Sequence, residues 1–175
     1  FGASLHWIEK QLKMKNPFFA YISLNAPHAP FIAPEKYKKR FLDEGYDQNT
    51  AGRYGMIENI DDNFGKLMTQ LREWDALKNT LVIFMTDNGA THLGGTLNGK
   101  RVRMFNADLR SGKNSPNEGG THVPAFWYWP GKLKENTDIK SLTAHLDLLP
   151  TFCDLVGVPL PKHVKIPFDG ISLEE

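Results

Sequence analysis

The sequence predicts an α/β domain in which a sheet lies between helices, and three observations predict it. Two short apolar runs, residues 18–24 and 81–85, each stop abruptly at a loop rich in turn residues. Runs of this length read as strands buried on both faces, as in parallel sheets covered by helices. Between them Ile57, Ile60, Phe64, Leu67, Leu71 and Trp74 recur at three and four residues, the stripe of an amphipathic helix. Strands that alternate with helices build layers. The 175 residues suffice for one domain with a sizeable core, and the chain reads as a single domain over residues 1–175.

The elements follow in order. Leu5, Ile8 and Leu12 fit one face of a first helix. "NPFFAYISLNAPHAP" (residues 16–30) holds the first expected strand and then a loop punctuated by Pro27 and Pro30, which Pro34 extends. The striped helix runs from Tyr54 and leads through "DALKN" into "TLVIFMTDNGA" (residues 80–90), the second strand. "VPAFWYWPG" (residues 123–131) is a third, ended by Pro130-Gly131. A last helix begins near Asp147, which can cap it, tolerates Pro150 in its first turn, and stops at Gly157 and Pro159.

Bulk properties exclude several classes of function. A net charge of +1 argues against a dedicated nucleic-acid binder. The single cysteine, Cys153, rules out an internal disulfide framework and a cysteine-rich zinc site. No run is long enough to span a membrane, and no signal-peptide pattern is present.

Asp87 and Asn88 end the second strand, and in sheets of this kind ligands gather at the carboxyl ends of strands. A turn with a capping aspartate is the plain alternative. The asparagine-rich segment that follows, residues 88–121, has no sustained period, and a loop of this length in a compact domain is usually functional or disordered. Because it starts at the candidate ligands, function is favoured. His92, Lys100, Arg101, Arg103 and Arg110 lie in it and either shape a pocket for an anion or face water.

"TLVIFMTDNGA" and the later "LRSGKNSPNEGGTHVPAFWYWPG" closely resemble the sulfatase family of sulfuric ester hydrolases. Members carry a strand ending in Asp-Asn-Gly, a Gly-Lys, a Glu-Gly-Gly five residues beyond that lysine, and an Arg-Val-Pro strand ending in Trp-Pro-Gly. "PFFAYISLNAPHAP" resembles the family's strand with a His-x-Pro loop, "YGMIENIDDNFGKLMTQL" its preceding helix, and "HLDLLPTFCDLVGVPLP" with "DGISL" its late helix and closing loop. Each motif is short, but together they run in the family's order from Pro17 to Leu173.

The resemblance implies an alkaline-phosphatase-like layered sheet between helices, here only a partial domain truncated on the N-terminal side. It implies hydrolysis of a sulfate ester by a formylglycine nucleophile with a divalent cation. Asp87 and Asn88 match the second pair of metal ligands, half of a calcium site, with magnesium as the alternative ion. Lys113 matches the lysine that contacts the sulfate, and its ammonium would stabilise the non-bridging oxygens. His28 matches the His-x-Pro histidine, which either donates to a sulfate oxygen or protonates the departing alcohol. Lys113 and His28 are thus the catalytic and substrate-binding candidates.

The nucleophile is made from Cys/Ser-x-Pro-Ser-Arg, a motif missing from this chain; Cys153 sits in "TFCDLVG" and reads as a core cysteine on a helix. It would belong upstream of Phe1, so the chain alone is expected to be inactive. Asp61-Asp62 lie within a helix and read as structural or solvated. His122 stands where the family usually has arginine.

The implied partners are a sulfated small molecule or carbohydrate and the missing N-terminal part of the domain, with no nucleic acid. Family habit implies periplasmic, secreted or lysosomal placement. A phosphatase or phosphonate monoester hydrolase of the same superfamily is the enzyme alternative, and a non-catalytic binding or structural fragment is the other.

Overall fold

Leu5, Ile8 and Leu12 share the inner face of α1 (Gly2–Lys13), as their spacing requires. A computed structural model describes residues 1–91, 94–161 and 167–174. These fall into two compact units, Phe1–Lys134 and Glu135–Glu175.

In the first unit, Ile8 of α1 packs with Leu67 and Leu71 of α3 (Gln48–Glu73) and with Ala76 and Leu77 beyond it. Leu71 is only 3% exposed, and full burial of such a side chain contributes about 2 kcal/mol. Phe64 of α3 meets Phe84 of β1 (Val82–Met85) edge to face, with ring centroids 5.2 Å apart. Phe64, Leu67 and Leu71 of the predicted stripe therefore face the core, whereas Ile57 is exposed.

α3 starts six residues before Tyr54, at Gln48, because Asp47 caps it: its carboxylate accepts from the Asn49 and Thr50 amides. The first turns bury Ala51, Gly52 and Gly55, residues too small to register as an apolar stripe. A helix absent from the sequence reading, α2 (Glu35–Asp43), begins directly after Pro34 and packs along α3. Its buried Tyr37 donates to Asp62, which also accepts from Lys66 at 3.0 Å. Asp62 is thus a structural contact.

Two strand expectations need correction. Residues 18–24 form no strand: Phe18 and Ile22 lean on the α1–α3 core, while Phe19 and Tyr21 are 70% and 82% exposed. The segment has the apolar content of a strand, but it belongs to neither of the ladders formed among the described residues. The second correction concerns β1, which is half-buried and pairs antiparallel, not parallel, with β4 (Ala125–Tyr128). Met85 lies opposite Ala125 and Val82 opposite Tyr128, so residues 86–124 leave and return at the same end of the pair. A connection that comes back to the end it left forces antiparallel pairing.

That excursion also contains a small hairpin, β2 (Thr96–Leu97) and β3 (Lys100–Arg101), turned by Asn98 and Gly99 at φ 52° and 75°. Asn-Gly with both residues left-handed is the turn that matches strand twist. Asp47 ties the hairpin to α3, since its second oxygen accepts from the Thr96 amide and hydroxyl. In the second unit, Asp147 precedes α5 (Leu148–Leu155), but its carboxylate accepts from the Ala144 and Ile171 amides instead of capping that helix. Gly157, at φ 68°, follows the helix as expected.

The bonds from Thr96 and Thr50 hold the Asp47 carboxyl down at about 2. Its unfolded value is about 3.9, so its stabilisation is complete above that pH and is lost as pH falls through the folded value. Asp47→Ala should lower unfolding free energy by about 1–2 kcal/mol near neutral pH. The gap from the native protein should shrink between about pH 4 and pH 2. Urea unfolding at the two ends of that range checks this; a gap independent of pH contradicts it.

Candidate functional site

The chemistry expected of residues 86–124 depends on where their backbone goes after β1. Thr86 N–H donates to the Pro124 carbonyl at 3.3 Å, continuing the pairing one step past the strands. Asp87, exposed, and Asn88, half-buried, follow at the carboxyl end of β1. Gly89 N–H then donates to the Gly120 carbonyl at 3.0 Å, and Lys113 N–H donates to the Ala90 carbonyl at 2.8 Å. The backbones of Lys113 and of the Asp87-Asn88 turn therefore meet at one end of the strand pair. The Lys113 side chain is half-buried there.

Glycines make this approach close. A Cβ on Gly89 would run into the Gly119 carbonyl, one on Gly119 into the Ser111 and Arg110 carbonyls, and one on Gly120 into those of Ser115 and Gly112. The short helix α4 (Glu118–Thr121) thus sits between the Asp-Asn-Gly turn and the Lys113 loop. Asparagine side chains hold the loop. Asn106 donates to the Leu109 and Ser111 carbonyls, both at 2.9 Å, and Asn117 donates to the Ser111 hydroxyl at 2.8 Å. Such side-chain bonds replace a regular backbone ladder.

His28 stands apart in the local bonding. It is exposed, its Nδ1 lies 3.0 Å from the Ala29 carbonyl, and its N–H donates to Asn25. Among the described residues, no hydrogen bond or ion pair joins it to Asp87, Asn88 or Lys113. The link between its loop and the Asp-Asn-Gly turn is Arg53 of α3, a residue the sequence reading missed. Its guanidinium lies 4.2 Å over the Phe31 ring, three residues past His28, and donates to the Thr91 hydroxyl at 3.0 Å. Burial lowers its pKa. The available signal was "TAGRYG": Gly52 has no room for a Cβ against the Phe31 carbonyl, so small residues marked a close approach of chains.

Lys100, Arg101, Arg103, Arg110 and His122 are exposed, and His92 lies outside the described residues. Cys153 is a half-buried free thiol on α5. No group of three or more His, Cys, Asp or Glu residues able to hold an ion occurs among the described residues.

Gly89→Ala should cost about 1–3 kcal/mol, because the methyl group meets a fixed carbonyl and not a mobile side chain. An unchanged urea midpoint would show that the turn and α4 are not in contact.

The sequence model of the Sulfatase family matches residues 3–158. The chain is 34% identical over 171 residues to human N-acetylgalactosamine-6-sulfatase, covering 97% of this chain and 30% of that protein. It is 32% identical over 168 residues to the uncharacterized sulfatase YdeN of Escherichia coli K12, covering 95% and 28%. The crystal structure of Ps i-CgsB in complex with k-i-k-neocarrahexaose superposes with a TM-score of 0.83 at 29% identity, over 98% of this chain and 36% of that one. The chain thus spans about three-tenths of the curated relatives it matches. The alkaline-phosphatase-like fold expected from the sequence is present as a part of that larger architecture. The chain belongs to the sulfatase family.

Proposed function

We propose that this chain is the middle-to-late part of the catalytic domain of an enzyme that hydrolyses sulfate esters. The observation that carries the reading is the return of the Lys113 backbone to Ala90, beside the Asp87-Asn88 turn. A cationic side chain and two oxygen-bearing side chains then share one end of a strand pair, a combination suited to a bound sulfate and a hard cation. The names of the human relative and of the ligand in Ps i-CgsB support a sulfated carbohydrate as the substrate class.

A carboxylate and an amide oxygen are the donor types that calcium or magnesium takes. Two residues supply about two or three of the six to eight oxygens that calcium needs. The donor set therefore fits half a site, with Asp87 and Asn88 as its ligands. The ion, when bound, would supply Lewis-acid polarisation of the sulfate oxygens. Lys113 would neutralise charge on the non-bridging oxygens as the ester bond breaks. His28 would either donate a hydrogen bond to a sulfate oxygen or protonate the leaving alcohol. The formylglycine nucleophile would come from a part of the longer enzyme outside this chain, because no Cys/Ser-x-Pro-Ser-Arg occurs in it. The exposed Tyr21 and Phe126 side chains support further sheet packing from such a part. None of the described helices is long and apolar enough to cross a membrane. Periplasmic, secreted or lysosomal placement belongs to the same proposal and rests on family membership.

Turnover of an aryl sulfate tests the function. The full-length protein carrying this chain should be active, and Lys113→Ala should lower its kcat/KM at least about 100-fold. Full activity in that variant would remove the lysine from the mechanism. Residues Phe1–Glu175 alone should show no turnover and no micromolar calcium affinity by titration calorimetry; either one would contradict the half-site reading.

A further inference from the structure

Beside the candidate site lies a cleft of about 460 Å³ between α3 and the β2–β3 hairpin, lined in part by Phe31, Asp47, Arg53, Thr96, Arg101 and Met104. Its volume is within the range of about 300–1,000 Å³ usual for small-molecule sites. Its charged lining residues are Arg53, Arg101 and Asp47. That carboxylate is already committed, since Asp47 accepts from the Asn49, Thr50 and Thr96 amides and from the Thr50 and Thr96 hydroxyls. Among the described residues, neither Arg53 nor Arg101 forms an ion pair. A half-buried guanidinium with no acid partner is costly, and an anion would offset that cost.

The hairpin aims Arg101. Thr96 is opposite Arg101 in the antiparallel register, so the two side chains stand on the same face. Thr96 is bonded to Asp47, which fixes that face toward α3. The other wall is apolar, with Met104 buried and the Phe31 ring covered by Arg53. Arg53 is shared with the candidate site through Thr91. Thr91 is four residues past Asp87, at most about 14 Å of extended chain.

We infer that this cleft binds a second anionic group of the substrate, a sulfate or carboxylate on a saccharide unit next to the one carrying the scissile ester. The inference rests on the sulfatase reading for the identity of the substrate. Arg101 and Arg53 hold the anion, and the Phe31–Met104 wall packs against the sugar. Arg101 is then a specificity-determining residue.

The test is titration calorimetry of the full-length protein with three disaccharides: one disulfated, one bearing a sulfate and a uronate carboxylate, and one monosulfated and otherwise neutral. At least one dianionic ligand should bind about tenfold or more tightly than the monosulfated one, as expected for one added charge-assisted contact. The two dianions tell which anion the cleft prefers. Arg101→Gln, a change on an exposed hairpin, should reduce that preference to below about threefold. It should leave affinity for the monosulfated ligand within the same factor. Equal affinity for all three ligands overturns the inference, as does a preference that survives in Arg101→Gln. Aryl sulfate turnover is scored separately. Absent turnover with an intact, Arg101-dependent preference counts against the sulfatase reading alone, and turnover with no preference counts against the cleft alone.

Discussion

The contact between Gly89 and the Gly119-Gly120 backbone is the constraint on which the candidate site depends. It is a backbone-to-backbone approach with no room for a side chain. Because Met85 and Ala125 are paired, the chain between them must come back to where it began. The glycines let it come back through a compact loop, and α4 then holds the Lys113 segment against Ala90. The site therefore owes its position to a return path, with polar side chains placed by it.

α3 supplies the second fixed frame. Its C-terminal half carries the core with Leu67 and Leu71, while its N-terminal half does polar work. Asp47 caps the helix and anchors the β2–β3 hairpin with the same carboxylate. Six residues later Arg53 spans two loops, stacking on Phe31 and bonding to Thr91. A single helix thus couples core packing to the alignment of the His28 loop with the Asp-Asn-Gly turn. This shared frame also gives the neighbouring cleft its charge.

Much of this was legible in the sequence, and the failures have physical causes. The stripe through Phe64, Leu67 and Leu71 named the core helix, and "MTDNGA" and "SGKNSPNEGG" named the turn and the lysine loop. Strand direction was not legible, because an apolar run such as Val82–Met85 looks alike in parallel and antiparallel pairs. Residues 18–24 misled because apolar composition records the wish to be buried and not whether a strand forms. Arg53 was hidden because a polar residue on a helix reads as solvated unless its tertiary neighbours are known. Asn98-Gly99 carries a hairpin signal of its own, but two-residue strands are too short to show a period within residues 88–121.

The central claim is that Lys113 and the Asp87-Asn88 pair serve one anion. A crystal structure of the full-length protein with bound sulfate measures this most directly. The account predicts the Lys113 Nζ at about 2.7–3.0 Å from a sulfate oxygen, with the Asp87 and Asn88 oxygens on a cation touching the same sulfate. A Lys113 ammonium more than about 15 Å from the Asp87 carboxylate, with sulfate bound elsewhere, would contradict it.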